Sequence, residues 1–324
     1  MTSSYRAMHC RELGPPETLA LAELPRPPLG DGEVRVRIRA AGVNYPDLLQ
    51  VSGQYQHKPP LPFVPGFEAA GDILETGPGV AGWKAGDAVI LRLRGGAYAE
   101  EAVARAEWLL PKPAGWSYAE AAAFPVAAAT AWTALVSRGR LAAGETLLVL
   151  GAGGGTGLGA VSLGTRVGAR VIAVASSPEK RAAAARAGAA LCIDPATPDW
   201  TGNLQADVVF DPVGEPLFGA AWKALAPGGR WLVVGFAGGG FPRVPANRLL
   251  LREAELIGVR AGEQARRNPA AAQQCDAALR DWLVGGDGAG RPQIGGIHRL
   301  ERAADALRLL AGRRAVGKLV LETG

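Results

Sequence analysis

Residues 146–161 read TLLVLGAGGGTGLGAV. Five residues of strand type lead into a glycine-rich turn, and a helical start follows. In that order the turn brings backbone N–H groups close to a pyrophosphate, while the helix N-terminus adds a favourable dipole. The spacing is Gly151-x-x-Gly154-x-x-Gly157, with Gly155-x-Gly157-x-x-Ala160 a looser fit to the three-glycine dinucleotide pattern. A glycine-rich loop without a ligand is the plain alternative. The strand before the turn, the helix after it and a second strand at the right distance favour the nucleotide. Gly151, Gly154, Gly155, Thr156 and Gly157 are the candidate phosphate contacts.

Outward from this turn the pattern repeats. TLLVL (146–150), RVIAVA (170–175), LCI (191–193), DVVF (207–210), RWLVVG (230–235) and AELIGVR (254–260) alternate with helical stretches. Continuous apolar strands with helices between them predict a parallel sheet covered on both faces, an α/β doubly wound domain. Residues 1 to about 125 differ: short strands are broken by Pro- and Gly-rich turns at 23–33, 57–66 and 76–87, which predicts a mostly β domain. An Ala-rich helical stretch, 117–139, interrupted at Pro125, joins the two. After about 260 the chain reads as helical, and it ends on a strand, GKLVL (317–321).

The chain has 324 residues, close to half of them hydrophobic, which allows about two domains with a sizeable core. The net charge of +5 raises the question of a polyanionic partner. The basic residues are scattered, however, and no recognition motif accompanies them, so nucleic acid is not expected. In EVRVRIRA (33–40) the charges alternate with Val34, Val36 and Ile38 and read as the wet face of a half-buried strand. Cys10, Cys192 and Cys275 are far apart, which excludes a disulfide framework and fits a reducing compartment. No apolar run approaches a membrane span, and the N-terminus lacks a signal-peptide core. A cytoplasmic protein is expected.

The second strand of the nucleotide pattern ends VIAVASSPEKR (171–181). An NAD site places an acid here to bind the ribose 2′-hydroxyl. Ala175 and Ser176 take its place, with Lys180 and Arg181 beyond. A hydroxyl and a cation suit a 2′-phosphate, so NADPH is expected ahead of NADH. The same residues also start a helix, with Ser177 as N-cap, Pro178 at its first position and Glu179 at the positive dipole end. Both readings hold together.

Further stretches carry a resemblance: AAGVNYPDLLQVSGQY (40–55), LPFVPGFEAAG (61–71), GGAYAEEAV (95–103), GAGGGTG (151–157), ASSPEK (175–180), DPVG (211–214), LAPGGRWLVVGFAGG (225–239) and AVGKLVL (315–321). Essentially end to end, the chain resembles the quinone oxidoreductase branch of the medium-chain dehydrogenase/reductase superfamily. The resemblance implies a GroES-like, mostly β catalytic domain, residues 1–125 with 261–324, and a Rossmann domain at 126–260. Zinc-dependent relatives bind the metal through a Cys, a His and a later Cys or acid. Here Asn44 takes the Cys position and Phe67 the His position. Zinc prefers Cys, His or carboxylate ligands, and His9, His57 and His298 are isolated, so no metal is expected.

Without a Lewis acid an alcohol is hard to activate, whereas a quinone or an activated double bond accepts hydride directly. The resemblance puts Asn44 and Tyr55 on the acceptor side, with Asp47 nearby. Asn44 would bond the acceptor carbonyl or the nicotinamide ribose, although a turn or helix cap explains Asn44 and Asp47 equally well. The Tyr55 phenol would donate a proton or shape the pocket. Further cofactor contacts implied are Thr130, Pro212, Val213, Phe236, Ala237 and Lys318. One departure is Pro195, where relatives often carry a Tyr that contacts the 2′-phosphate. The implied activity is an NADPH:quinone reductase. Alternatives are an enoyl or alkenal reductase and a non-catalytic NADPH-binding redox sensor. A homodimer is expected through the last Rossmann strand, AELIGVR, with NRLLLRE (247–253) covering the joint, because an apolar edge strand calls for a partner.

Overall fold

The computed structural model describes residues 4–285 and 290–324. Met1–Ser3 and residues 286–289, both inside the expected first domain, lie outside the described residues. The chain begins with β1 (Ser4–Cys10), β2 (Leu19–Pro25) and β3 (Glu33–Val43), then α1 (Tyr45–Val51). Next come β4 (Glu68–Thr76), β5 (Ala88–Arg92), β6 (Glu101–Arg105) and β7 (Leu109–Pro111), followed by α2 (Tyr118–Ala123) and α3 (Pro125–Trp132). The nucleotide pattern unfolds as β8 (Thr146–Leu150), α4 (Gly155–Val167), β9 (Arg170–Val174), α5 (Pro178–Arg186), β10 (Leu191–Ile193), β11 (Ala206–Asp211), α6 (Phe218–Ala221) and β12 (Leu225–Val233). It continues through α7 (Ala246–Arg252), β13 (Glu255–Gly258), α8 (Ala261–Arg267) and α9 (Pro269–Val284). The chain closes with β14 (Ile294–Arg299), α10 (Ala303–Ala311) and β15 (Lys318–Glu322).

The molecule divides into two compact units: Met1–Val126 with Ile294–Gly324, and Ala127–Gln293. The first is GroES-like and mostly β. Its main sheet runs β14-β15-β3-β4-β5-β7, with β6 also on β3, while β1 and β2 form an antiparallel pair. The terminal strand β15 pairs antiparallel with β3, so β3 has partners along both edges. That changes the reading of its charges. Val34, Val36 and Ile38 are buried, but so is Arg35, whose guanidinium bonds Glu75 and the Pro27 carbonyl. A buried charge has to be paired, so the expected wet face is dry at Arg35, while Arg37 on the same face is exposed as expected.

The second unit is a Rossmann-type sheet, β10-β9-β8-β11-β12-β13, parallel throughout. Strand order reverses between β8 and β11, the position where open α/β sheets bind ligands. Its core includes Leu148, Ile172, Val174 and Val209. Phe218, Trp222 and Trp231 stack there with ring centroids 4.8 to 5.6 Å apart.

Two expectations need correction. The return to the first unit was expected at 261 and occurs at 294. α8 and α9 stay with the nucleotide unit because α9 buries Cys275, Leu279, Trp282 and Leu283, and Gln264 of α8 donates to the Ser137 hydroxyl at 2.7 Å. The expected lack of any membrane-length apolar run also fails, since Tyr118–Arg138 is long and apolar enough by composition. Its apolar window is 67% buried within the protein, as a core helix requires.

Candidate active site

In the first unit, β15, β3 and β4 are neighbours, with Leu319 opposite Val43 and Ala41 opposite Ala69. This register brings the first residue of β15, Lys318, and the first residue of β4, Glu68, beside Asn44 at the end of β3. The Lys318 ammonium donates to the Val43 carbonyl at 3.1 Å, to Asn44 Oδ1 at 2.6 Å and to Glu68 Oε1 at 2.5 Å. Asn44 Nδ2 donates to Glu68 Oε1 at 2.9 Å and, more distantly, to the Gly42 carbonyl at 3.4 Å. Glu68 Oε2 accepts from the Val126 N–H at 2.7 Å. Lys318 and Glu68 are 4% and 0% exposed, so neither charge is solvated and each depends on the other.

One turn into α1, Asp47 is also fully buried. Its Oδ2 accepts from the Asn44 N–H at 2.7 Å and from the Tyr98 hydroxyl at 2.9 Å, while Oδ1 is buried with no hydrogen-bond partner among the described residues. Burial pushes the Asp47 carboxyl up to about 7, against the lowering effects of these two donors and of Lys318. Burial, with Asp47 adjacent, raises the Tyr98 phenol well above its ordinary range.

Asn44 and Asp47 stand together at the start of α1. Asp47 caps α1, accepting the N–H of the N-cap residue. Asn44 stands at the N-cap of α1 in a capping box with Asp47, and its amide is also held between Glu68, Gly42 and Lys318. Asp47 is fully buried, and its carboxylate faces the Asn44 N–H and the Tyr98 hydroxyl. Tyr55 is half-buried; its ring lies 6.0 Å from that of Phe67, tilted by 58°. Glu68 and Tyr98 are absent from the sequence-predicted site. A Glu opening a strand next to alanines carries no sign that a Lys 250 residues away will meet it.

In the second unit, Gly151 follows β8 at φ 61°, a left-handed conformation that glycine adopts without strain. Gly154 is the N-cap of α4, and Gly155, Thr156 and Gly157 form its first turn. The first N–H groups of a helix have no acceptor within it. A Cβ at Gly154 would meet nothing nearer than the Gly151 carbonyl at 3.7 Å, so the space facing this turn is open to a pyrophosphate. The residues fit a dinucleotide.

At the end of β9, Ser177 caps α5 by accepting the Lys180 N–H at 3.3 Å. Ser176 is exposed and Lys180 half-buried. Lys180 lies directly on the glycine turn, because any Cβ at Gly153 would overlap its Cβ. Arg181 Nη1 donates to the Ala175 carbonyl at 3.0 Å and to Asp194 Oδ2 at 2.8 Å. Gly153 and Asp194 are further residues here that sequence reasoning did not mention, and Arg181 is one that it named only in passing. Pro195 follows Asp194, half-buried.

Pro212 and Val213 follow β11, and Phe236 and Ala237 follow β12. The Asp211 carboxylate shapes the first of these loops, accepting the Val213 and Gly214 N–H groups at 2.9 and 2.8 Å and the Trp231 indole N–H at 3.2 Å. Burial raises its pKa against these donors. The Ala237 N–H donates to the Pro212 carbonyl at 3.0 Å, which ties the two loops together. Thr130 is half-buried on α3. A separate cavity of about 300 Å³ is bounded by Trp132, Leu163, Arg166 and Trp282 among others; none of the expected site residues lines it.

Among the described residues no group of three or more His, Cys, Asp or Glu could hold a metal ion. The donor chemistry at the positions of interest does not fit zinc. The Asn44 oxygen holds an ammonium, and the Phe67 ring offers no lone pair.

Comparison with known proteins adds the family. Residues 30–114 match the model of the alcohol dehydrogenase GroES-like domain, and residues 155–276 match that of zinc-binding dehydrogenases. Quinone oxidoreductase-like protein 2 of Mus musculus is 36% identical, over 98% of this chain and 92% of its own. Among solved structures, an NAD-dependent alcohol dehydrogenase is similar at 33% identity and a TM-score of 0.87, covering 98% of this chain and 100% of that one. The quinone oxidoreductase of Thermus thermophilus, solved also in complex with NADPH, is similar at 30% identity and a TM-score of 0.82, over 98% and 100%. With a GroES-like unit, a Rossmann unit whose glycine turn fits a dinucleotide, and relatives of this kind along its whole length, the chain belongs to the quinone oxidoreductase branch of the medium-chain dehydrogenase/reductase superfamily and is an oxidoreductase.

Proposed function

We propose that the protein is a zinc-independent reductase that uses NADPH to reduce a quinone. The observation that carries the cofactor choice is the end of β9: no acid stands at Ser176, and the Lys180 stem packs on Gly153 of the phosphate turn. Bound NADPH supplies the hydride. The glycine turn holds its pyrophosphate through Gly151, Gly154, Gly155, Thr156 and Gly157, and Ser176 and Lys180 hold its 2′-phosphate. Thr130, Pro212, Val213, Phe236 and Ala237 orient it.

Hydride addition and one proton convert a quinone to its hydroquinone. Tyr55, half-buried against Phe67, is the group we assign to supply or orient that proton. Asn44, Glu68, Lys318, Asp47 and Tyr98 form the rigid polar floor that keeps the β3–α1 turn in place, with the Lys318 ammonium as the fixed positive charge. The absence of a usable zinc donor at Phe67 supports an acceptor that needs no Lewis acid.

We also propose a homodimer through β13. Leu256 on this edge strand is 41% exposed, and Leu250 and Leu251 on the preceding α7 are 77% and 79% exposed. Three free cysteines suit the cytoplasm. The test of the whole reading is NADPH oxidation against a panel of quinones, enones and enoyl thioesters, with and without chelator, beside elemental analysis. Turnover of quinones that survives chelation, with no stoichiometric zinc, is expected. Activity confined to enoyl thioesters, or lost on chelation, would overturn it.

A further inference from the structure

Arg181 is not needed for the helix cap or for the phosphate turn, yet it is held firmly at the end of β9. Its Nη1 donates to the carbonyl of Ala175, the residue just before Ser176, and to Asp194 Oδ2. Asp194 stands at the end of β10, the parallel neighbour of β9, where the Ala175 N–H donates to the Ile193 carbonyl at 3.1 Å. Its other oxygen accepts the Ala196 N–H at 2.9 Å. The carboxylate is therefore fixed in orientation, and it fixes the guanidinium in turn.

Among the described residues both side-chain bonds of Arg181 use Nη1, which leaves Nε and Nη2 to donate elsewhere. The pair is neither sealed nor fully solvated, with side chains 22% and 32% exposed. The charged residues near Ser176 are Lys180 and Arg181, the Asp194 carboxylate paired with Arg181, and Glu179 in the first turn of α5. A phosphate monoester entering this corner meets one cation that is offset by a fixed carboxylate and a second, Lys180, on the glycine turn.

We propose that Arg181 is a second ligand for the 2′-phosphate and that Asp194 is the positioning residue that moderates its strength, so that the pair sets how strongly this chain prefers NADPH to NADH. The inference rests on the NADPH reading above. An arginine fork binds phosphate through any two of its donors, and a carboxylate already paired with the guanidinium offsets part of the charge it can offer a phosphate. Asp194→Asn keeps one oxygen for Nη1, at the expense of the acceptor for the Ala196 N–H, and removes the carboxylate charge.

The test is direct binding of 2′,5′-ADP and of 5′-AMP, which differ only in the 2′-phosphate and need no catalysis. Dissociation constants are measured at low salt, because screening weakens the effect, for wild type, Asp194→Asn, Arg181→Ala, the double variant and Lys180→Ala. We expect Asp194→Asn to tighten 2′,5′-ADP about three- to tenfold and to leave 5′-AMP within about twofold. Arg181→Ala should weaken 2′,5′-ADP alone, and in its background Asp194→Asn should gain little. Equal changes for both ligands, a loss on Asp194→Asn, or a gain that survives without Arg181 overturns the inference. Should Asp194→Asn fail to fold, Arg181→Ala decides: an unchanged ratio of the two constants overturns it. If wild type binds 2′,5′-ADP no tighter than 5′-AMP and Lys180→Ala moves neither, the NADPH reading itself fails. If wild type discriminates and neither Asp194→Asn nor Arg181→Ala moves the ratio, only this inference fails.

Discussion

Lys318→Met would remove an ammonium that donates three hydrogen bonds, to Val43, Asn44 and Glu68, from a site where it is 4% exposed. Methionine fills much of the same volume, so the loss is mainly electrostatic. It leaves the Glu68 carboxylate, 0% exposed, with the Val126 and Asn44 N–H donors but without a countercharge. Breaking a buried pair from one side costs about 3 to 5 kcal/mol. Glu68→Gln should cost a similar amount, since it strands the ammonium. The double variant tests whether the cost lies in the stranded charge or in lost packing. Replacing both ions together removes the desolvation penalty as well as the attraction, and such replacements are often neutral. The double variant should therefore lie within about 2 kcal/mol of wild type and above both single variants. Urea unfolding at pH 7, followed in the midpoint and the slope, measures this. Single variants that cost less than about 1 kcal/mol, or a double variant whose cost is the sum of the two, would refute the claim that Lys318 and Glu68 hold each other in a dry site.

Lys180→Ala should weaken NADPH about ten- to a hundredfold while leaving NADH nearly unchanged, as expected for a charge-assisted phosphate contact of about 1.5 to 3 kcal/mol; Ser176→Asp should reverse the preference, and fluorescence titration of both cofactors reads each. The Asp47 carboxyl, raised by burial from 3.8 to about 7, makes the folded state bind the extra proton between those values. This group's contribution to stability therefore falls as pH rises through that window, by at most about 1.4 kcal/mol per pH unit. Asp47→Asn should remove the trend, and unfolding curves of the two proteins that stay parallel from pH 4 to 7 would count against it. Leu251→Glu, on the exposed face of α7, should shift light scattering from dimer to monomer without lowering the unfolding temperature of the second unit, and a monomeric wild type would end the dimer proposal.

The parts legible in the sequence are those set by near neighbours. The strand–turn–helix at 146–161 is visible because the sterics of Gly151 and the start of α4 are decided within a few residues. The cap at Ser177 and the lack of an acid at Ser176 are visible for the same reason. Alternating apolar strands announce a parallel sheet because burial on both faces leaves no polar period. The glycine turn and the position of Lys180 could be named from local pattern alone, whereas the loops after β11 and β12 are named only through the resemblance. The alternation that marks Arg35 as wet is also local, and there it misleads: whether a strand face is dry depends on what packs over it, and Glu75 and Pro27 decided that. The return at 294 rather than 261 follows from where α9 buries its Trp282 face. The Lys318–Asn44 contact spans 274 residues, and it exists only because β15, β3 and β4 are adjacent and in register. Backbone torsion and side-chain period are short-range properties that a sequence carries openly. Strand order, register and the pairing of buried charges are settled by the whole chain at once, and only the tertiary structure could bring Lys318 to Glu68 or Asp194 to Arg181.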